Sequence, residues 1–395
     1  DLHCGAFGSK PLEAVLHRRL AKAVELLVAE EVRALFIVGD IVHSPAAGAD
    51  VWLSIIEEVC KPLRAQEIPV YVIDGSHDRA VVGRHCFADV LSACGMWHRL
   101  PSGVATTVQL KGGVPLRVMV LGGARGGIEA STFSKKGKEG PGPFSLFLFH
   151  SALQEALPIE FRFKVPALRV KDLPVGWGLY LGGHLHWKYR FLKKQQIGKT
   201  RVMSTGCLLG SNILDLRRAT SPSVLVATWS GRKVVPVVKR LALPLDECNL
   251  VRPLVVHVEK WNGRLGVLEE RLRAWAKRQP KEAVAVLSFR GAWAEDSFAS
   301  YVLQAAVSPP MAGVVSDVKI HLLEDVPEAD APEGLELEEQ LCALEDDFVR
   351  AEQVRTFFEE MTLPRGPDAT VGGYKLGRVK AGCKVLRVSD ATNRS

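Results

Sequence analysis

Short apolar runs alternate with amphipathic stretches along the first half of the chain. Apolar residues at helical spacing predict helices over 11–30, 50–66 and 82–95. Buried strands are predicted over 34–38, 69–73, 116–121, 145–149 and 178–181. Residues 124–143 show no periodicity and are interpreted as a loop. This alternation predicts an α/β fold, in which functional side chains gather after the carboxyl ends of strands.

The pattern changes at residues 245–253, where we expect a domain boundary. Beyond it the periodicity predicts strands over 254–260, 283–289 and 316–323, with helices over 264–278 and 295–306. Proline and glycine residues after 324 indicate a linker. The sequence therefore predicts three domains, at 1–245, 250–325 and 335–395.

The third region begins with an acidic helix predicted over 335–362. Residues 324–360 contain 14 acidic side chains against two basic ones, yet leucine and phenylalanine residues form a single apolar stripe. By itself the stripe indicates either packing on its own domain or docking on a partner. The last 32 residues carry seven basic and two acidic side chains and form a basic tail.

Composition excludes several classes of protein. The chain is 47% hydrophobic and 24% charged, which is the balance of a soluble globular protein. It contains no apolar run of about 18 residues, so we expect no membrane span. The eight cysteines include no C-x-x-C pair, which argues against a zinc finger, and we interpret Cys60 and Cys94 as buried apolar residues. The net charge of +7 is only a weak indication of an anionic partner.

Histidine is unevenly distributed, since nine of the 11 histidines lie at or before His186. Most of these follow predicted strands together with aspartates, in the segments Asp1-x-His3, Gly39-Asp40-x-x-His43, Gly75-Ser76-His77-Asp78, His150 and Gly183-His184-x-His186. A lone histidine after a strand is more often structural than a ligand. Five such segments in this order instead favour a centre of two divalent ions, because carboxylate and imidazole suit manganese, iron or zinc.

These segments resemble the signature of the calcineurin-like metallophosphoesterases, which is D-x-H, G-D, G-N-H-D/E, a single His and G-H-x-H. Within that superfamily the chain is similar to the meiotic-recombination-11 type (the bacterial SbcD type) of DNA double-strand-break repair nuclease, in an archaeal-like form. The similarity is carried by residues 39–45, 149–158 and 173–186. It covers the first 186 residues. It implies a two-sheet α/β sandwich with a small α/β cap domain and a C-terminal helical tail.

The resemblance also implies a role for each matching residue. One ion would be held by Asp1, His3, Asp40 and His186, and the second by Asp40, Ser76, His150 and His184. His77 would stabilise the transition state or protonate the leaving group, and His43 would position the phosphate. Asp78 is expected to hold His77 in one tautomer.

Two departures from the family pattern affect these expectations. Ser76 occupies the position of the family's asparagine, and its shorter hydroxyl would hold the second ion more loosely or reach it through a water, which would impair the nuclease. Every other ligand position of the family pattern is filled. The chain opens on Asp1 without an initiator methionine. We therefore expect a preceding strand that this sequence does not contain.

Basic residues follow the last motif, namely Lys188, Arg190, Lys193 and Lys194. They are candidates for contact with a DNA backbone, although a solvated hairpin explains them as well. Apolar residues of 50–66 and 82–95 are candidate homodimer surfaces by analogy, and core packing explains them equally well. The resemblance implies that the acidic helix 335–362 docks on a coiled-coil ABC-type ATPase.

The sequence thus predicts a manganese-dependent DNA nuclease, with 3′–5′ exonuclease and single-strand endonuclease activity, that processes double-strand-break ends. The resemblance implies a cytoplasmic, nucleoid-associated protein of a prokaryotic or archaeal cell. One alternative is a small-molecule phosphodiesterase or nucleotidase of the same superfamily. Another is a scaffold subunit of the repair complex whose nuclease is impaired.

Overall fold

The protein has a mixed α/β fold, seen here in a computed structural model. The structure describes residues 1–78, 85–135, 137–157, 165–188, 196–197, 200–212, 215–216, 222–229, 236–244, 250–257, 264–290, 317–323, 370–371 and 374–375. The chain divides into two compact units. Unit 1 comprises Asp1–Asp215 and Ser221–Cys248, and unit 2 comprises Leu216–Thr220 and Asn249–Ser395.

The described helices are α1 (Lys10–Ala29), α2 (Ala49–Ile55), α3 (Lys61–Ala65), α4 (Phe87–Ala93), α5 (Ile128–Thr132) and α6 (Leu265–Ala276). A π-helical turn, Ile56–Cys60, joins α2 to α3. The strands of unit 1 are β1 (Leu35–Val38), β2 (Val70–Ile73), β3 (His98–Arg99), β4 (Ala105–Leu110), β5 (Val114–Leu121), β6 (Gly142–His150), β7 (Trp177–Gly183), β8 (Gln196–Ile197), β9 (Thr200–Met203), β10 (Ser223–Thr228) and β11 (Val237–Ala242).

The strands of unit 1 form three sheets. One has the order β1-β2-β3 and is parallel, and a second has the order β4-β5-β6-β7-β9-β8. Within the second sheet β5, β6, β7 and β9 run parallel, while β4 and β8 are antiparallel edge strands. The third sheet is the hairpin of β10 and β11. The parallel strands place several carboxyl ends at the same edge of each sheet.

The first two sheets share one hydrophobic core. Because side chains alternate between the two faces of a strand, every second residue of β5 and β6 faces this core. The cluster contains Tyr71, Ile73, Leu100, Val108, Leu116, Val118, Val120, Leu146, Leu148 and Leu179. The opposite face of β6 is also buried, through Phe147 and Phe149. Burial on both faces explains why this strand reads as a continuous apolar run.

Helix α1 confirms the first helical prediction. Its buried residues recur at intervals of three and four, and they are Leu12, Val15, Leu16, Arg19, Leu20, Ala23, Val24 and Leu27. The helix predicted over 50–66 is also confirmed, as α2, the π-helical turn and α3. The helix predicted over 82–95 corresponds to α4 in the described residues, and α4 is shorter than the predicted segment.

Two expectations were wrong, and one strand was missed. Residues 124–143 are not wholly irregular, because α5 lies within them and β6 begins at Gly142. Strand β4 had no counterpart among the predicted strands, and it pairs with β5 as an antiparallel edge. Cys60 is buried as expected, but Cys94 is exposed because it follows the last residue of α4 rather than its apolar face.

Unit 2 contains the parallel sheet β12 (Val251–His257), β13 (Val284–Arg290) and β14 (Asp317–Leu323) in that order, with helix α6. All three strands and the helix were predicted. The central strand β13 is buried from Val284 to Phe289, as expected for a strand covered on both faces. Two short strands, β15 (Thr370–Val371) and β16 (Tyr374–Lys375), form a hairpin. The predicted helices over 295–306 and 335–362 lie outside the described residues.

No helix in the described part of the chain is long and apolar enough to cross a membrane.

Candidate metal centre

The predicted ligands lie at the carboxyl ends of four parallel strands. Asp40 follows β1, Ser76 follows β2, His150 is the last residue of β6 and His184 follows β7. Residues His150 and Gly183 are directly paired in neighbouring strands. The segment from Asp1 to Cys4 lies beside the turn after β1, because the amides of Leu2 and His3 donate to the Asp40 carbonyl at 2.8 and 2.9 Å.

The backbone of these turns adopts a left-handed conformation at the ligands themselves. Five non-glycine residues in the described ranges have positive φ, and three of them are His3 (49°), Asp40 (46°) and His184 (78°). Such conformations are unfavourable for residues with a Cβ atom and cluster at functional sites. The turns therefore hold these side chains in place at the expense of local backbone stability.

Glycines allow the turns to approach one another closely. A Cβ atom on Gly75 would lie 2.1 Å from the Asp40 amide nitrogen, and one on Gly39 would lie 2.2 Å from His150 Nδ1. A Cβ atom on Gly183 would lie 2.2 Å from the Val38 carbonyl oxygen. Side chains at these positions would push the ligands apart. The glycines of the sequence motifs are therefore explained by steric contact with the ligands.

One group of ligand atoms comes from Asp1, His3 and His186, and these atoms all lie within 4.8 Å of one another. The Nε2 atoms of His3 and His186 are 2.9 Å apart. Asp1 Oδ1 accepts a hydrogen bond from the His184 amide at 2.8 Å, whereas Asp1 Oδ2 is buried without a hydrogen-bond partner among the described residues. A buried carboxylate oxygen of this kind is unfavourable unless a cation balances it, so the group fits a divalent ion.

A second group of ligand atoms comes from Asp40, His150 and His184. All three residues are buried, and these atoms also lie within 4.8 Å of one another. Asp40 Oδ2 is 3.0 Å from His150 Nε2 and 3.5 Å from His3 Nε2. The Asp40 carboxylate therefore touches both groups. A carboxylate in that position fits the bridge that two ions about 3.5–4 Å apart require.

Burial and neighbouring charges shift the pKa values of His3, Asp40 and His150 in different directions. Burial holds the pKa of His3 well below its ordinary value although Asp40 opposes the shift, so His3 is neutral, as a metal ligand must be. Burial disfavours the charged form of Asp40, but the adjacent His150 and their hydrogen bond outweigh it and lower the Asp40 pKa. Burial also opposes the charged form of His150, but the adjacent Asp40 outweighs this effect and raises the pKa of His150.

Ser76 is buried beside the shared carboxylate. Its Oγ atom lies 3.4 and 3.3 Å from Asp40 Oδ1 and Oδ2, which is long for a hydroxyl hydrogen bond. Ser76 therefore lies beside the Asp40 carboxylate, but its hydroxyl makes only a long contact there.

His77 and His43 lie next to the first group. Their rings stack with centroids 4.9 Å apart, and His77 lies 4.9 Å from the ring of His3. The His77 amide donates to Asp40 Oδ1 at 2.9 Å. His77 Nδ1 donates a hydrogen bond to the His43 carbonyl oxygen at 2.8 Å. The same contact fixes the tautomer of His77.

The expectation that Asp78 orients His77 was wrong. The Asp78 carboxylate is buried and accepts backbone hydrogen bonds from Ile41 and Gly75 at 2.8 Å and from Val42 at 3.2 Å. It therefore joins the turn after β1 to the turn after β2. Burial and the nearby Asp40 raise the pKa of Asp78 to about 6 despite these hydrogen bonds.

Sequence reasoning missed two buried carboxylates near the centre. Asp215 Oδ2 lies 2.7 Å from His186 Nδ1, and its side chain is 1% exposed. Glu129 of α5 accepts a hydrogen bond from the Ala124 amide at 3.1 Å, and burial raises its pKa. Neither residue follows a predicted strand, so the strand-end pattern contained no signal for them.

Of the residues predicted to contact DNA, only Lys188 is described. It is half-buried and comes two residues after His186. Arg190, Lys193 and Lys194 lie outside the described residues.

No protein-family model and no curated protein matches the chain.

Proposed function

We propose that this protein is a two-metal phosphodiesterase that acts on DNA. The position of Asp40 carries the proposal, because its carboxylate lies within 3.5 Å of imidazoles from both ligand groups. Asp1, His3, Asp40 and His186 would hold one ion, and Asp40, Ser76, His150 and His184 the other. When bound, two such ions, proposed as Mn²⁺, supply Lewis-acid stabilisation of the charge that develops on a phosphate attacked by water.

His77 is proposed to exchange a proton with the leaving oxygen. Because the His43 carbonyl accepts from Nδ1, Nε2 is the atom that would donate this proton. Imidazole suits the task because its pKa lies near neutrality. His43, which stacks on His77, is proposed to position the phosphate.

The wider assignment rests on the resemblance to the double-strand-break repair nucleases. Under this proposal the two sheets that share one core are the sandwich of a metallophosphoesterase, and the parallel sheet of unit 2 belongs to the cap. The helix that the sequence predicts over 335–362 would dock on the coiled-coil ATPase, and Lys188, Arg190, Lys193 and Lys194 would contact the DNA backbone. The exposed apolar residues Leu53, Phe87 and Val90 are candidates for a homodimer contact.

A nuclease-impaired scaffold subunit is the second candidate. Ser76 favours it, because a hydroxyl in place of the resembled family's longer amide would hold the second ion loosely and slow hydrolysis. A small-molecule phosphodiesterase would use the same ligands and would differ in its substrate.

Mn²⁺-dependent degradation of a linear duplex tests the proposal, with a nucleotide diester assayed beside it. We expect His77→Ala to lower duplex turnover by about 10²–10⁴-fold, the usual size of a general acid–base contribution, with Mn²⁺ affinity nearly unchanged in calorimetry. His85→Ala is the matched control, because the His85 side chain is 92% exposed. Turnover that persists in a chelator, or an unimpaired His77→Ala, would contradict the proposal. Two bound Mn²⁺ ions without turnover would favour the scaffold, and cleavage of the diester alone would favour the small-molecule enzyme.

A further inference from the structure

The loop after β9, residues 204–212, leads to Asp215 and lies against the last ligand motif. The Cys207 amide donates to the carbonyl of His186 at 3.0 Å. His186 is thus held twice, through its carbonyl by Cys207 and through its ring by Asp215. No motif assigned a role to this loop.

The carboxylate of Asp215 is oriented by the loop itself. Its Oδ2 atom accepts hydrogen bonds from the amides of Ser211 at 2.9 Å and Asn212 at 3.4 Å, besides its 2.7 Å contact with His186 Nδ1. The Asp215 amide in turn donates to Asn212 Oδ1 at 2.9 Å. Since Oδ2 is an acceptor, the proton of this contact belongs to Nδ1 of His186.

Gly210 allows the loop to close over Asp215. Its φ is +98°, and a Cβ atom there would lie 2.1 Å from Asp215 Cβ. Only a glycine fits a position with both this backbone conformation and this close approach. The contact between Asp215 and His186 is therefore part of a closely packed loop rather than a chance surface contact.

Two arginines anchor the same loop from other elements. Arg19 of α1 is fully buried and donates to the Leu208 carbonyl at 2.7 Å. Arg240 of β11 donates to the carbonyls of Ser204 at 2.6 Å and Thr205 at 3.2 Å. Charge-assisted hydrogen bonds of this kind are the stronger ones in proteins, so the loop is fixed relative to α1 and β11.

We propose that Asp215 is a positioning residue that holds His186 in the tautomer with the proton on Nδ1, so that the Nε2 lone pair faces the metal centre. The arrangement of His3 agrees with it. If His186 Nε2 bears no proton, His3 Nε2 must donate across the 2.9 Å contact, which leaves His3 Nδ1 unprotonated. An unprotonated Nδ1 needs no acceptor, and His3 Nδ1 is buried without a hydrogen-bond partner among the described residues.

The tautomer and the metal affinity are separate consequences, and only the second rests on the proposed function. A partner on the outer nitrogen of a ligating histidine raises the ligand's basicity and fixes its ring, and loss of such a partner costs about 10–100-fold in affinity. A competing interpretation makes His186, Cys207 and Asp215 a metal site of their own, because their ligand atoms also lie within 4.8 Å of one another. Against it, Asp215 Oδ2 already accepts from two amides.

The test combines histidine-labelled ¹⁵N NMR of the metal-free full chain with Mn²⁺ titration by calorimetry. In the unmodified protein we expect His186, assigned by its loss in His186→Asn, to be protonated at Nδ1 alone. Asp215→Ala should mix the tautomers and weaken Mn²⁺ binding by about 10–100-fold at one site. Asp215→Asn, whose amide oxygen still accepts, should restore most of both properties.

Asp172→Asn is the matched control, because Asp172 is a surface partner of Arg169, and it should change neither property. A His186 protonated at Nε2 in the unmodified protein overturns the inference even if Asp215→Ala does not fold. Unchanged tautomer and affinity in Asp215→Ala overturn it as well. Equal weakening of Mn²⁺ binding by Cys207→Ser overturns it in favour of the separate metal site. If the unmodified protein binds no Mn²⁺, the proposed function fails, while the NMR result still decides the role of Asp215.

Discussion

The ligands of the candidate centre are held by contacts between single atoms of neighbouring turns. His3, Asp40 and His184 have positive φ, and the cost of that conformation is offset by the hydrogen bonds and packing around them. Gly75 makes the closest of these approaches, since it packs against both the amide and the carboxylate of Asp40. At this scale a change of one methyl group is enough to disturb the centre.

We expect Gly75→Ala to destabilise the protein by about 1–3 kcal/mol, the usual cost of overpacking. The added Cβ would lie 2.1 Å from Asp40 N and Oδ1, so the turn after β1 must shift and the Asp40 carboxylate with it. Urea unfolding followed by tryptophan fluorescence measures the stability, and calorimetry should show weaker Mn²⁺ binding in the same variant.

Gly266→Ala is the matched control for this substitution. Gly266 lies in α6, and a Cβ atom there would meet nothing within 4 Å. Alanine is the better helix former by about 0.5–1 kcal/mol, so this variant should be as stable as the unmodified protein or slightly more stable. Equal stability of Gly75→Ala and the unmodified protein would show that the turns can separate without cost.

The hydrophobic pattern was enough to place those candidate ligands that follow an apolar strand. His150 and His184 could be placed because strand ends are visible as the last apolar residue of a run. Asp215 could not be placed, because it contacts His186 from 29 residues away, through a loop with no regular pattern. The partner of His77 was also misassigned, since a backbone carbonyl leaves no trace in a residue pattern.

Helix α4 shows how one element is tied to the strand that carries the site. Asp89 accepts a hydrogen bond from the Cys86 amide at 2.9 Å and so caps the first turn of the helix. Arg99 of β3 pairs with Asp89 and with Asp74, which immediately precedes the turn containing Ser76. The ion pairs therefore connect the start of α4 to the end of β2.

The pH dependence of stability should report this connection. Burial opposes the shift, but the Cys86 amide and Arg99 lower the pKa of Asp89 in the folded protein. A lowered folded pKa means that the carboxylate stabilises the fold above the unfolded value of about 4, and that this contribution disappears as the pH falls through the folded value. Asp89→Ala should therefore cost about 1 kcal/mol above pH 5, as loss of a cap does.

Urea titrations between pH 3 and pH 7 measure the difference between Asp89→Ala and the unmodified protein. The difference in the free energy of unfolding should be constant between about pH 5 and pH 7 and should shrink as the pH falls below about 4. Asp50→Ala is the matched control, because Asp50 also lies in the first turn of a helix, α2. A difference that grows on acidification would contradict the assigned direction.

Elements were predictable where the hydrophobic pattern was long or strongly apolar. α1 and β6 met that condition, because each buries a continuous face. β4 did not, since it is an edge strand of mixed exposure whose pattern is weak without its partner β5. Helix α5 has five residues, too few for a helical period to be recognised in the sequence.

At the scale of the whole molecule, every residue of the candidate centre belongs to unit 1. The ligands run from Asp1 to His186, and Asp215 is the last residue of that unit's first segment. The described residues of unit 2 supply none of the ligand groups found. Metal binding should thus act on unit 1 without direct effect on the strands of unit 2.

Hydrogen exchange of the full chain with and without Mn²⁺ tests this division. A ligand present at about a hundred times its dissociation constant stabilises the folded protein by about 2.7 kcal/mol. The exchange of amides that are exposed only when the site opens should therefore slow by about 100-fold. We expect protection in the turns after β1, β2, β6 and β7. Peptides covering β12 and β13 should be unchanged, and His150→Ala should remove most of the effect. Protection confined to unit 2, or spread equally over both units, would contradict a centre built from unit 1 alone.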